Sequence, residues 1–208
     1  MAASVRIAGR TDVDRIAASL ALAFNDDPVM VFFFPRQSSR VRRLTRFFRT
    51  GLLVQHLSRA ACFTDVECAG AALWAPPGHW RMTIGQLLRG APGLVTAFGA
   101  KIPTALRALT TVERAHPDAP HYYLAVLGTR PDRQGRGLGS AYLRPILDRC
   151  DRESLGAYLE SSKESNIAFY RRHGFEVTGE IRLPGGPLVW PMWRDPRAPR
   201  AHDADSKL

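Results

Sequence analysis

The stretch TRPDRQGRGLGSAYL, residues 129–143, places three glycines within five positions. Glycine at that density disfavours the interior of a strand or a helix, because it loses more backbone entropy on folding than any other residue. The apolar run YYLAVLG precedes the stretch, and LGSAYLRPILDRCDRE, which has helical periodicity, follows it. The pattern predicts a strand, a glycine loop and a helix in succession.

Three phosphate-binding patterns compete for this loop. A P-loop needs a lysine after its second glycine, and a dinucleotide fingerprint needs a third glycine where Ser140 stands. The pattern Gln/Arg-x-x-Gly-x-Gly/Ala is matched completely by Gln134, Gly137 and Gly139. Amides at a helix N-terminus attract phosphate, and glycines let it approach. A glycine-rich turn without a ligand is the alternative.

With a second segment, NIAFYRRHGF at 166–175, the loop resembles the two signatures of the GNAT superfamily of N-acetyltransferases, although the spacing in the second is one residue short. The segments AFNDDP, YLESS and FYRRHGFEVTGEIRLPGGPLVWPMWR are similar to the puromycin N-acetyltransferase branch of actinobacteria. The resemblance implies one α/β domain over residues 1–194, with a mixed, largely antiparallel central sheet, splayed middle strands and flanking helices. We expect residues 195–208 to be a disordered tail.

The resemblance also implies acetyl transfer from acetyl-CoA to an amine within a ternary complex. Backbone groups at the end of the central strand would orient the thioester, and the glycine loop would hold the pyrophosphate. The implied cofactor residues are Leu127, Gly128, Thr129, Gln134, Gly135, Arg136, Gly137, Leu138, Gly139, Ser140, Asn166 and Tyr170. Ordinary strand pairing is the alternative for the first three, and a helix cap is the alternative for Asn166.

Two residues carry the proton chemistry that the resemblance implies. Tyr170 stands at the position of the general acid that protonates the thiolate, with core packing as its alternative. Glu160 is the candidate base for the incoming ammonium, because a carboxylate in a partly apolar cleft suits that task. Binding the acceptor's cation or pairing with an arginine is its alternative, and His121 and Asp27 are weaker candidates for the base.

The acceptor is expected to meet the segment FNDDPVMVFFFPR, residues 24–36. Three consecutive phenylalanines cannot all face one core, so some should line a cleft. We assign Asp26, Asp27 and Phe32 to acceptor binding, with a puromycin-type antibiotic amine as the substrate. A mobile lid over another small amine is the alternative for the segment. A polyamine, an amino acid or a protein N-terminus would be another acceptor, and a non-catalytic acyl-CoA-binding module is the alternative to an enzyme.

The formal charge of +10 favours anionic partners, but the arginines are scattered except in RQSSRVRRLTRFFR, residues 36–49. Helical spacing of apolar residues there predicts an amphipathic helix with a solvated basic face, so nucleic acid is not expected as a partner. Three cysteines without metal-ligand spacing predict buried thiols and no metal. No segment has the pattern of a membrane span or signal peptide, and we expect a cytoplasmic protein. The oligomeric state, a homodimer included, stays open.

Overall fold

The computed structural model describes residues 4–57 and 61–197 and contains one eight-stranded sheet. The strands are β1 (Val5–Ile7), β2 (Cys62–Asp65), β3 (Gly70–Ala75), β4 (His121–Thr129), β5 (Gly156–Ser161), β6 (Glu176–Val177), β7 (Ile181–Arg182) and β8 (Leu188–Arg194). Their order is β1-β2-β3-β4-β5-β8-β6, and β7 pairs with β8. All paired neighbours are antiparallel except β4 and β5, which are parallel. The predicted mixed, largely antiparallel sheet is confirmed.

Seven α-helices of the described residues flank the sheet. They are α1 (Val13–Ala23), α2 (Pro28–Phe33), α3 (Gln37–Gly51), α4 (Ile84–Phe98), α5 (Ile102–Arg114), α6 (Leu138–Glu153) and α7 (Ile167–Arg172). A π-helical turn, Leu52–His56, continues α3. Pro145 lies inside α6, which runs through it.

The two middle strands of the sheet part from one another. Parallel pairing of β4 with β5 ends at Tyr123 and Tyr158. Beyond that point β4 pairs only with β3, and the register between them shifts between Leu73 and Trp74, so that Ala125 is the extra residue of a bulge. A bulge bends its strand and increases the local twist. The end of β4 is therefore left with one unpaired edge that faces a gap in the sheet.

A hydrophobic core lies on each face of the sheet. The first joins α1, α2 and α3 and includes Leu20, Phe34, Leu44 and Phe48. The second joins α6 and α7 to the other face through Trp74 and the fully buried ring of Tyr142, among others. The three cysteines are buried and unpaired, as predicted, and burial raises the pKa of the Cys62 thiol to about 12. The thiols therefore serve as small core residues.

The three consecutive phenylalanines differ from expectation. Helix α2 ends at Phe33, and the backbone of Phe34 leaves the helical region with φ −122°. This change of direction sends both rings into the first core, where they contact Phe98 with centroids 5.6 and 5.0 Å away. Phe32 is half-buried and packs against the same core. The argument from side-chain periodicity was therefore wrong for all three residues, because the helix stops between Phe33 and Phe34.

The basic helix was predicted correctly, but one of its arginines is not solvated. Arg40, only 8% exposed, donates hydrogen bonds to the carbonyl oxygens of Phe34 at 2.6 Å, Asn25 at 2.9 Å and Pro35 at 2.9 Å. It thereby ties both ends of the α2 segment to α3. Of the predicted disordered tail, residues 198–208 lie outside the described residues.

Candidate active site

A cavity of about 780 Å³ opens where β4 parts from β5. Its wall combines the end of β4, the glycine loop, the start of α6, the segment after α1 and the start of α7. It contains eleven of the twelve predicted cofactor residues, namely Leu127, Gly128, Thr129, Gln134, Gly135, Gly137, Leu138, Gly139, Ser140, Asn166 and Tyr170. Arg136 is exposed and does not line the cavity. The fold thus brings two sequence-distant motifs to one space.

The glycine loop has the geometry of an anion cradle. Gly135 and Gly137 have φ of +74° and +76°, a region that residues with a Cβ rarely adopt, and no atom lies within 4 Å of where their Cβ atoms would be. Gly137 is also the N-cap of α6. The amide of Ala141 donates to the Gly137 carbonyl at 3.0 Å as the helix begins, so the amides before Ala141 have no partner within the helix and point out of its end.

Side chains around the loop hold it in place. Gln134 Nε2 donates to the Thr129 carbonyl at 3.0 Å, which closes the loop on the end of β4. The Ser140 hydroxyl lies 2.9 Å from His173 Nε2, and burial lowers the pKa of His173. Arg133 lines the cavity and forms an ion pair with Glu67 at 2.7 Å. The loop is therefore fixed by neighbours on both sides rather than by its own glycines.

Gly128 serves a close approach between β4 and α1. A Cβ on this residue would lie 2.8 Å from Phe24 Cε2 and 3.0 Å from Leu20 Cδ2. Its neighbours Leu127 and Thr129 share the strand end that has no β5 partner. Amides on such an unpaired edge are free to face a ligand oxygen. The end of β4 is therefore hydrogen-bonded to β3 on one edge and unpaired on the other edge.

Tyr170 and Asn166 line the cavity from the other side. Tyr170 is 8% exposed, and burial and then the Asp27 carboxylate raise the pKa of its phenol well above the usual value. The phenol consequently stays protonated at neutral pH, as a proton donor must. Asn166 precedes α7, yet its side chain makes no capping hydrogen bond. The cap alternative for this residue is not supported.

Glu160 does not line the cavity. It lies on β5 two residues beyond the last β4–β5 pair, with its side chain 9% exposed. The Tyr123 hydroxyl donates to its Oε2 at 2.8 Å, and its Oε1 has no hydrogen-bond partner among the described residues. His121, the weaker candidate, donates from Nδ1 to the Ala119 carbonyl at 2.6 Å. Both residues belong to one buried polar cluster beside the gap.

The predicted acceptor residues separate into different environments. Asp27 is 2% exposed and caps α2: its Oδ1 accepts the amides of Val29 and Met30 at 3.0 and 3.1 Å, and its Oδ2 accepts the hydroxyl of Ser162. Burial raises the pKa of this carboxyl. Both its oxygens are thus used within the fold. Asp26 is exposed and pairs with Lys163 at 2.7 Å.

Phe32 is half-buried and does not line the cavity; its ring lies beside Phe33 and 5.3 Å from Lys101 Nζ. Phe169 packs against the second core and also lines the cavity, and a Cβ on Gly139 would lie 3.2 Å from its ring. Lys163 and Arg172 also line the cavity and were not predicted. No local pattern distinguishes these two from other basic residues.

A second cavity, of about 470 Å³, lies on the far side of the Asp26–Lys163 ion pair, since both residues line both cavities. Its other lining residues are Pro28, Ser162, Glu164, Ser165, Pro187, Leu188 and Trp190. It therefore joins an apolar, partly aromatic wall to two exposed carboxylates. Within residues 4–57 and 61–197, no cluster of histidine, cysteine and acidic residues is placed to hold a metal ion, and no helix has the length and apolarity needed to cross a membrane.

Similarity to known proteins agrees with this geometry. An uncharacterized N-acetyltransferase of Schizosaccharomyces pombe is 27% identical over 186 residues, which cover 83% of this chain and 74% of that protein. A crystal structure from Corynebacterium glutamicum, described as histone acetyltransferase HPA2 and related acetyltransferase, has a TM-score of 0.70 at 26% identity, over 97% of this chain and 100% of the other.

A Drosophila melanogaster polyamine N-acetyltransferase shares the fold, with a TM-score of 0.59 at 15% identity over 92% of this chain and 99% of the other. The model of the acetyltransferase (GNAT) family matches residues 72–175, from β3 through the glycine loop to the end of the second signature. The chain belongs to the GNAT family of acetyltransferases and is an N-acetyltransferase of the kind that uses acetyl-CoA.

Proposed function

We propose that this enzyme transfers the acetyl group to a primary amine of a small molecule by direct attack within a ternary complex. The observation that carries the proposal is the single cavity that joins the glycine loop, the unpaired end of β4 and the protonated phenol of Tyr170. The open positions at Gly135 and Gly137 fit a pyrophosphate, because no Cβ shields the amides there.

Acetyl-CoA, when bound, supplies an activated thioester. We assign the pyrophosphate to the amides of Gly135–Ser140, with Arg133, Arg136 and Arg172 as nearby positive charge. Backbone groups of Leu127, Gly128 and Thr129 would polarise the carbonyl, since preorganised amides stabilise a developing oxyanion. Asn166 would hold the pantetheine arm and Tyr170 would protonate the leaving thiolate. Glu160, which does not line the cavity, would take the proton of the incoming ammonium through water.

The second cavity supports a specific class of acceptor. Trp190, Leu188 and Pro187 give it an apolar wall that suits a flat group. The carboxylates of Asp26 and Glu164 outnumber the one ammonium group of Lys163, and this negative balance suits a cation. A small aromatic or aminoacyl-nucleoside amine of the puromycin type combines both properties. Asp27 does not line this second cavity; because both of its oxygens already accept hydrogen bonds, it would position Ser162 in the cavity wall rather than contact the amine.

An amine panel tests the proposal. Puromycin, agmatine, a longer polyamine, an arylalkylamine and an N-terminal peptide are each incubated with acetyl-CoA, and release of the CoA thiol is measured together with product mass. We expect a gain of one acetyl group on puromycin. Acetylation of another amine with no gain on puromycin would overturn the puromycin-type assignment alone. No turnover with any amine, despite acetyl-CoA binding, would favour a non-catalytic acyl-CoA-binding module.

A further inference from the structure

A cluster of aromatic and titratable side chains lies beside the gap between β4 and β5. His116, which follows α5, is 8% exposed and stacks on the indole of Trp80 with centroids 3.6 Å apart. Its Nε2 lies 3.0 Å from Nε2 of His121, and its Nδ1 lies 3.7 Å from Oε1 of Glu160. Tyr123 supplies the hydrogen bond to the other oxygen of Glu160.

Hydrogen-bond accounting fixes the positions of the ring protons. The Ala119 carbonyl can only accept, so His121 Nδ1 carries a proton and donates it. Burial, the largest effect, and then His116 lower the pKa of His121, which favours its neutral ring. Its Nε2 is then an acceptor, and His116 Nε2 must be the donor between the two rings.

The same accounting leaves one position without a proton. A neutral His116 that donates from Nε2 has a bare Nδ1, and this nitrogen faces Oε1 of Glu160. That oxygen is buried and accepts no hydrogen bond within the usual distance; the Tyr158 hydroxyl, which is likewise buried and without a partner among the described residues, interacts with the same carboxylate. Two acceptors face one another at 3.7 Å, a distance longer than a hydrogen bond. One further proton between these two atoms would turn this contact between acceptors into an attractive one.

We propose that Glu160 and His116 form a shared acceptor for the proton that the amine loses, with His116 as the positioning residue that holds this proton against Oε1. The inference rests on the proposed function. An N–H bond of the substrate ammonium breaks and its electron pair stays on nitrogen. Because neither Glu160 nor His116 lines the cavity, the proton passes through water before it binds between Oε1 and Nδ1. The charge of the pair changes from −1 to zero, and the proton returns to solvent after product release.

The surroundings of the pair suit this task. The Trp80 ring offers its face to an imidazole that gains positive charge, an arrangement that attracts cations. The hydroxyl of Tyr123 stabilises the carboxylate before the transfer. Tyr123 and Tyr158 contact His116 edge-on, with centroids 4.9 and 4.8 Å away, and burial raises the pKa of both phenols, so neither adds charge near neutral pH.

Ring-nitrogen NMR of the full chain labelled with ¹⁵N-histidine tests the proton positions without any activity. At high pH we expect His121 to be protonated on Nδ1 and His116 on Nε2 alone. As the pH falls, His116 Nδ1 should gain a proton at the midpoint of the acidic limb of kcat/KM. A His121 ring protonated on Nε2 alone, or a His116 Nδ1 that stays bare across that limb, would overturn the inference.

Kinetics of matched variants give the second test. Glu160→Gln should lower kcat by roughly 10²-fold, the usual contribution of a general base. The Gln side chain in His116→Gln can donate an N–H but cannot take up a proton. The acidic limb of the kcat/KM profile should therefore move to lower pH by about one unit, which corresponds to a tenfold weaker affinity for the proton. His79→Gln, an exposed histidine, should leave the profile unchanged. Acetyl-CoA affinity, measured on each variant, reports folding.

The two failures are distinguishable. Absence of amine acetylation by the wild-type enzyme would defeat the proposed function, while the NMR spectra would still report the proton positions. Acetylation by the wild type together with an unshifted acidic limb in His116→Gln would defeat this inference alone.

Discussion

Two of the walls of the main cavity are built in different ways. The wall formed by 127–140 is continuous in sequence and presents backbone amides at glycines with positive φ. The wall formed by 22–27 is held by side chains from distant parts of the chain: Lys163 pairs with Asp26, and Ser162 with Asp27. The comparison shows that a backbone-built wall depends on local conformation, whereas a side-chain-built wall depends on long-range contacts.

The backbone-built wall should be the more sensitive to a single substitution. Gly137→Asp adds a Cβ at φ +76° and a carboxylate at the helix N-terminus, where the pyrophosphate would lie. We expect acetyl-CoA affinity to fall by about a thousandfold, or ~4 kcal/mol. Calorimetry measures it. Gly78→Asp is the matched control, because Gly78 has φ +74° and open space but lies outside the cavity; an equal loss there would attribute the effect to strain.

The side-chain-built wall should depend on one buried arginine. Arg40→Ala removes three hydrogen bonds to the carbonyls of Asn25, Phe34 and Pro35. We expect the free energy of unfolding to fall by about 3 kcal/mol, since a hydrogen bond to a charged group contributes ~1.5–3 kcal/mol and such effects overlap. Denaturant unfolding measures it. Arg46→Ala, on the exposed face of α3, should change stability by less than about 0.5 kcal/mol. Similar losses in both variants would refute the role of Arg40.

Tyr170→Phe probes the wall that α7 adds to the same cavity, where the Asp27 carboxylate of the side-chain-built wall acts on the Tyr170 phenol. The variant keeps the ring and loses the proton donor, so kcat should fall by roughly 10²-fold while acetyl-CoA affinity stays constant. Steady-state kinetics measures kcat, and calorimetry measures the affinity for acetyl-CoA. Tyr122→Phe removes a buried phenol that donates to Glu153 at 2.8 Å, away from the cavity, and should retain wild-type turnover. Wild-type turnover in Tyr170→Phe would assign this residue to packing.

The smallest expected effect belongs to the exposed ion pair between the cavities. Asp26→Asn removes a charge that is 79% exposed on its side chain and screened by water. We expect KM for a cationic acceptor to rise by about two- to fivefold, with kcat and stability unchanged. The same KM is measured with a neutral acceptor, at low and at high salt; a rise that is confined to the cationic acceptor and weakens at high salt would support recognition of the cation by Asp26. An equal rise for the neutral amine would remove Asp26 from cation recognition.

The sequence predicted most of the backbone-built wall, because its signals are local. Gln134, Gly137 and Gly139 stand at fixed spacing between a strand and a helix, and the amides they expose follow from that succession. Arg40 carries no comparable signal. Its three acceptors are main-chain carbonyls, which have no sequence identity, and its neighbours Arg42 and Arg43 look the same in a one-dimensional pattern. An Asp followed by a Pro is a local signal for a helix N-cap, so the capping role of Asp27 could be predicted from the sequence. The hydrogen bond that Asp27 accepts from Ser162 could not, because the two residues are far apart in the sequence.

The contacts that join Asp26 and Asp27 to Lys163 and Ser162 have a consequence for the assembly of the protein. A fragment that begins at Ala72 would contain both family signatures but none of the wall formed by 22–27. Contacts between residues that are far apart in the sequence form late in folding, because their formation costs the entropy of closing a long loop. We therefore expect tight binding of acetyl-CoA only after the N-terminal segment has packed against the rest of the chain. The rate at which binding recovers during refolding would measure the rate at which these long-range contacts form.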